Sequence, residues 1–327
     1  MDVGAAALAI LGDRIVSSKA AATKRLASEI LGADRSTWVL PSQEVAARLP
    51  DEPARPPSAA HAEYKTKGSS LKTTLHGIAH AEGYAVDLMW DLVARFAHTL
   101  PVAIQGDFVS DWVRIAAEEA VHFERWSQML GEVCGVEYGD LPTHAGLWEA
   151  AATSSNDLLD RLALVHMVHE ARGLDTASAS LARIVACEQT AGYPAETGGP
   201  CADTLRRNVA DEIGHVGAAV TWFERVCVLR GVADPPAHFR AVIEAKFKGA
   251  LKPPFDLQKR EAAGMAPAYF MWAVEGAVAA DVAQAAAAKE YKRRLKIVER
   301  GQSLTTKVIA AQEARLSRLV ARIESLE

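Results

Sequence analysis

Two stretches decide the fold: Ala117-Glu-Glu-Ala-Val-His-Phe123 and Asp211-Glu-Ile-Gly-His-Val216. Each carries a glutamate followed three residues later by a histidine, Glu119-x-x-His122 and Glu212-x-x-His215. Residues three apart on an α-helix share a face. Around the first motif, Phe108, Trp112, Ile115, Trp126, Met129 and Val133 mark an apolar stripe. Glu119 and His122 fill its two missing steps. Glu118 falls on the neighbouring face with Asp111, Arg114 and Arg125, so the period selects Glu119 as the inward acid. Around the second motif, Leu205, Ala219, Trp222, Val226 and Leu229 form a stripe whose gaps are Glu212 and His215. A carboxylate on a buried face is costly unless something neutralises it.

Working outward, two more helices repeat the anomaly. Upstream, Leu75, Ile78, Ala79, Val86, Met89 and Val93 form a stripe completed by Glu82. Between the motifs, Leu159, Ala163 and Leu174 place Glu170 inward, with His166 close to the same line and a candidate to hold a ligand from behind; Met167 and His169 allow a second phase. The helical period runs over about 71–100, 107–133, 155–173 with a continuation to 187, and 202–230. Pro101, Gly135, Tyr138-Gly-Asp-Leu-Pro142, the 192–200 segment and Gly231 punctuate it. No alternating strand pattern occurs. The prediction is an all-α chain built on a four-helix bundle with a crossover between its second and third helices.

The flanks read as additions. An amphipathic helix is predicted over about 5–31, with Ser and Lys on one side. A proline-rich strap follows over 41–58, including Pro53-Ala-Arg-Pro-Pro57. After the bundle, 235–270 carries a short helix and Pro253-Pro-Phe255. An Ala-rich, then charged, tail follows, with Leu316, Leu319, Ile323 and Leu326 at helical spacing. The tail reads as a long helix that packs on the bundle or on a second copy of the chain. The expected division is 1–69, 70–232 and 233–327.

Composition narrows the function classes. The 327 residues carry a net charge of -5, with 24% charged and 50% hydrophobic residues, which fits a folded globular chain. That charge gives no global footprint for nucleic acid. Four cysteines, Cys134, Cys187, Cys201 and Cys227, form no C-x-x-C pair and no disulfide framework, as expected of reduced thiols in a cytoplasmic protein. No stretch approaches a membrane span, and Met1-Asp2-Val3 lacks the basic start of a signal peptide.

The ordered set Glu82, Glu119-x-x-His122, Glu170, Glu212-x-x-His215 matches a ligand recipe. Ferritin-like dinuclear carboxylate bundles take a Glu from each of two helices and a Glu-x-x-His from each of the other two. Two divalent cations bring about four positive charges, which four carboxylates neutralise. Bridging carboxylates hold such metals ~3.5–4 Å apart, and one imidazole per metal suits iron or manganese. The alternative is a buried ion-pair network, for which the stripes offer no inward Arg or Lys. Metal-bound histidines need their second nitrogen held. Asp211 and Glu118, each just before a ligand glutamate, are candidates to hold the histidine of the opposite motif; otherwise they are solvated surface acids.

Several of these stretches resemble the domain of unknown function 455 family. The resemblance is carried by His80-Ala-Glu82, Asp111-Trp112 with the 117–123 stretch, Tyr138-Gly-Asp-Leu-Pro-Thr-His144 with Gly146-Leu-Trp148, Glu170-Ala-Arg-Gly-Leu-Asp175 and the 211–216 stretch. It covers about 53–264. It implies a ferritin-like fold and metal ligands on the same six residues; it implies no substrate. Gly83 stands where the family leads one to expect a larger apolar residue, which predicts a wider cavity beside the metals. The segment 188–200 departs from the pattern, and the tail beyond about 273 lies outside it.

The resulting expectation is an O2-activating di-iron oxidoreductase of the hydroxylase or oxidase type. It would use two Fe ions (or Mn), an electron donor, and a small-molecule or modified-nucleoside substrate. Ala79, Gly83, Ala116 and Ala163 either line a substrate cavity or pack closely. Trp112, Trp126 and Trp222 either carry electrons or fill the core. The alternatives are a metal-handling protein (ferroxidase, iron storage or peroxide scavenging) and a scaffold in which the metals only hold the bundle.

Overall fold

The computed structural model describes residues 1–55, 70–247 and 251–274. Among these residues the architecture is all-helical, with one isolated β-bridge between Asp2 and Val39. In chain order the helices are α1 (Val3–Gly12), α2 (Val16–Gly32), the short α3 (Gln43–Ala46), α4 (Leu71–Phe96) and α5 (Val102–Cys134). Then come α6 (Gly146–Ala152), α7 (Leu158–Arg161), a π-helical stretch (Leu162–His169) running directly into α8 (Glu170–Thr190), α9 (Pro200–Leu229), α10 (Pro235–Lys246) and α11 (Leu257–Ala262). The predicted tail helix with Leu316, Leu319, Ile323 and Leu326 lies outside the described residues.

Local chemistry sets the boundaries. Ser70 opens α4, its hydroxyl accepting from the Thr73 N–H. Pro101 separates α4 from α5. Gly135, at φ +61°, closes α5: its N–H and that of Val136 turn back to Gly131 and Leu130, a left-handed cap that a β-carbon disfavours. The α9 N-terminus carries Pro200 in its first turn and is capped from outside by Glu188. That carboxylate accepts N–H groups from Gly199, Cys201 and Ala202, satisfying donors the helix leaves open.

α4 packs along α5, and α8 packs along α9, which also packs on the π stretch and on α5. α1 and α2 cover the α4–α5 pair, while α10 and α11 cover the other. One contiguous apolar core runs through all of them, from Val3 and Ile30 through Leu92 and Trp126 to Phe239 and Phe270.

Three details differ from the periodicity. The single helix predicted over 5–31 is broken at Asp13–Ile15. The Asp13 carboxylate accepts the Ile15 N–H, a local turn that competes with helix. Lys19 is not on a solvated face but is 0% exposed, bonded at 2.7 Å to Asp87, also 0% exposed. Val133 and Leu229, assigned to buried stripes, are exposed at the C-terminal ends of α5 and α9.

The strap is held on its inner side. Ala54 N–H donates to Leu11 O, Trp148 Nε1 donates to Asp51 O, and Arg55 reaches Gly83 O at 2.7 Å and Asp87 at 2.6 Å. The Arg55 guanidinium lies 3.8 Å over the Tyr84 ring. Asp87 therefore serves two cations. One turn on, buried Asp91 bonds Arg95 and buried Arg161, tying α4 to α7. Asp175 bonds buried Arg260, tying α8 to α11.

Candidate metal centre

Apart from Glu188, which caps α9, the inward acids fall into two groups. Asp87, Asp91 and Asp175 each face a Lys or Arg. Glu82, Glu119, Glu170 and Glu212 face one another and two histidines. The inward cations that the stripes did not reveal are thus spent on the aspartates, and among the described residues no Lys or Arg reaches these four glutamates.

Glu119 sits at the middle. One of its oxygens is 2.9 Å from His215 Nδ1, the other 3.4 Å from His122 Nδ1. Glu212 does the same from α9, 3.2 Å from His122 Nδ1 and 3.2 Å from His215 Nδ1. Glu82 lies 3.9 Å from His122 Nδ1. Glu170, supplied where the π stretch meets α8, lies beside Glu212 in the wall of one cleft. The structure thus brings the six residues together, from α4, α5, α8 and α9. Glu82, Glu119, His122 and Glu212 present ligand atoms that all lie within 4.8 Å of one another.

Both rings present Nδ1 to the carboxylates and Nε2 outward. His122 Nε2 is 3.1 Å from Asp211, and His215 Nε2 is 2.9 Å from Glu118. Each acid precedes the ligand glutamate of the opposite motif, so the two helices hold each other's histidines. Arg114 anchors Glu118 at 2.8 Å. Arg125 approaches Asp211 at 3.8 Å and donates to Asn208 Oδ1 at 3.0 Å. Glu118 therefore belongs neither inside the cluster nor wholly to solvent.

His166 stands apart from these contacts. It is fully buried, its ring 4.7 Å from Trp112, and neither nitrogen has a hydrogen-bond partner. It does not hold a ligand as predicted. The stretch from Leu158 to Val168 is buried on all sides, so its apolar period carries no phase, and the π turns shift the register before Glu170. Trp112, Trp126 and Trp222 are fully buried core residues, and Trp222 Nε1 donates to Asp111.

The electrostatics are those of a site short of positive charge. Burial, then the neighbouring Glu119, pushes Glu82 well above the carboxylate range. Burial, then Glu212 and Glu119, does the same to Glu170. For His122, burial opposes the charged ring, but Glu119, Glu212 and Glu82 outweigh it and raise it to about 11. His215 is raised likewise by Glu119 and Glu212 against its burial. Glu119, though buried, is held low by the two imidazoles. Without a cation, protons occupy the cluster. Both Glu119 oxygens and His122 Nδ1 are buried yet make no aligned hydrogen bond, so the donor set is left open toward its centre. Four carboxylates and two imidazoles with unpaired inner atoms fit two divalent cations.

A cleft of about 500 Å³ reaches the cluster, with Glu82, Glu170 and Glu212 in its wall. Its small residues are Gly77, Ala81, Ala85, Gly173 and Ala177; of the two readings open for Ala79, Gly83, Ala116 and Ala163, close packing is the one observed. A β-carbon on Gly83 would stand 2.9 Å from Val16 and 3.2 Å from Phe123, so this glycine admits α2, not a ligand. Asn208, in the cleft wall one turn before Glu212, was missed; as a polar residue four positions before an inward glutamate, it shares that face.

Residues 13–271 match the family model described as "Protein of unknown function (DUF455)". The chain belongs to this family. All six clustered residues lie within the DUF455 match. An "Uncharacterized protein" of Haemophilus influenzae is 33% identical over 198 residues, 59% of this chain and 65% of the relative. The chain thus spans about 65% of the length of the curated relative it matches. No solved structure matches.

Proposed function

We propose that this DUF455 chain is a ferritin-like four-helix protein with a dinuclear iron (or manganese) centre, and that it is an O2-activating oxidoreductase of the hydroxylase or oxidase type. The observation that carries the reading is Glu119: a buried carboxylate whose two oxygens face two different histidine Nδ1 atoms and have no aligned donor. Glu82 with His122, and Glu170 with His215, would each hold one metal, with Glu119 and Glu212 between them. Asp211 and Glu118 fix the rings through Nε2 and so set Nδ1 as the metal-facing atom. When bound, two reduced metals supply electrons to O2. The mainly apolar cleft at Glu82, Glu170 and Glu212 supports an organic substrate over storage of iron alone.

The test is metal content by mass spectrometry on protein purified without added metal, paired with O2 uptake after anaerobic ferrous loading. Two iron or manganese ions per chain with O2 consumption are expected. Absence of stoichiometric metal after loading would sink the centre. Bound metal without O2 consumption would leave a metal-stiffened scaffold.

A further inference from the structure

We infer that the cleft between α4 and the α8–α9 pair binds a mainly apolar organic molecule bearing one hydrogen-bond acceptor, entering between Gly77 and Gly173 and docking that acceptor on Asn208. The inference deepens the proposed function and rests on it only for what the ligand meets at the inner end.

The two glycines are the first observation. Both lie inside long helices, where glycine is less favourable than alanine. Close packing explains helix-interior glycines such as Gly83. It does not explain these two: apart from their own helix, nothing stands within 4 Å of where either β-carbon would be. Both are exposed and both line the cleft, Gly77 on α4 and Gly173 on α8. They sit on the chain near Glu82 and Glu170, the carboxylates that face the same cleft. Leaving both side chains out keeps a doorway open above those carboxylates.

Asn208 is the second observation. It is 2% exposed and lines the cleft. Arg125 has donors only, so the atom facing its Nη1 at 3.0 Å must be the carboxamide oxygen. That fixes the amide, and Nδ2 is left buried without a partner. A buried donor with no acceptor calls for one, and a ligand carbonyl, carboxyl or ring nitrogen supplies it. Asn208 is four residues before Glu212, about 6 Å along the helix axis. A molecule held there lies beside the cluster. Ala81, Ala85, Val165, Leu205 and Val209 offer its body an apolar wall.

The test uses benzylacetone, an apolar body with one carbonyl, and butylbenzene, which has the same shape without the acceptor. Binding is measured by calorimetry on the full chain, metal-free and zinc-loaded. The wild type should bind benzylacetone more tightly than butylbenzene. Asn208→Leu should weaken benzylacetone about tenfold, the value of one buried hydrogen bond, and leave butylbenzene unchanged. Gly77→Leu and Gly173→Leu should each weaken both probes at least about tenfold, as expected of a blocked pocket, while thermal melts confirm the fold. Absence of binding by the wild type, unchanged binding in both glycine variants, or equal loss of both probes in Asn208→Leu would overturn the inference. Metal content on the same samples separates the two ideas. The expected probe pattern without metal retains the cleft and removes the dinuclear reading, and the converse does the opposite.

Discussion

Replacing Glu119 and Glu118 separately by glutamine sets two adjacent acids against each other. Glu119 faces both histidine Nδ1 atoms, at 3.4 and 2.9 Å, so Glu119→Gln removes a charge shared by both metal positions. Glu118 touches only His215 Nε2, at 2.9 Å, and is steadied by Arg114. Loss of such an orienting acid typically weakens metal affinity 10–100-fold, or about 1.4–2.7 kcal/mol. Glu118→Gln should therefore still bind two metals, with the weakening confined to one of them. Glu119→Gln should lose stoichiometric binding of both. The assay is competition against a chromophoric chelator, with stoichiometry by mass spectrometry. A thermal melt of the metal-free proteins separates ligand loss from misfolding. Glu119 is the anion held low by both imidazoles, so its neutral amide should lower the melting temperature of the metal-free protein while leaving it folded. Two metals retained by Glu119→Gln and lost by Glu118→Gln would refute the assignment of the inward face.

Other consequences can be checked alongside. Gly83→Leu should destabilise the fold by about 1–3 kcal/mol in urea melts, because its side chain runs into Val16 and Phe123, and should not alter the cleft. Asp87→Ala strands Lys19 and Arg55 without their anion and should cost about 3–5 kcal/mol, read by the same melts. His122 is raised from 6.5 to about 11, so its stabilising contribution is complete below about pH 6.5 and fades as pH rises toward about 11. The metal-free protein should accordingly melt lower at pH 9 than at pH 6. Metal must displace that proton, so metal affinity should rise over the same interval, as followed by chelator competition.

The legibility of the fold followed from exposure. α5 and α9 keep an exposed side, and α4 keeps one before Gly83, so their apolar periods had a phase there, and that phase singled out Glu82, Glu119, His122, Glu212 and His215. The stretch leading to α8 is buried all round, and there the period said nothing about His166. Inward charge was an incomplete signal. Asp87 and Asp91 are as buried as Glu119, but their partners Lys19, Arg55 and Arg161 come from distant segments that no local pattern connects. Gly83 misled for a related reason. Its missing side chain could mean a cavity or a close neighbour, and only the position of α2 chooses between them. The hold of Glu118 on His215 depends on how α5 and α9 face each other, which neither stripe contains.

The most direct test of the central claim is a crystal structure of manganese-loaded protein with anomalous data at the metal edge. The account predicts two peaks ~3.5–4 Å apart between α4, α5, α8 and α9, one beside His122 Nδ1 and one beside His215 Nδ1, with Glu119 and Glu212 reaching both. A single peak, peaks elsewhere, or none with the six side chains closed on one another would contradict it.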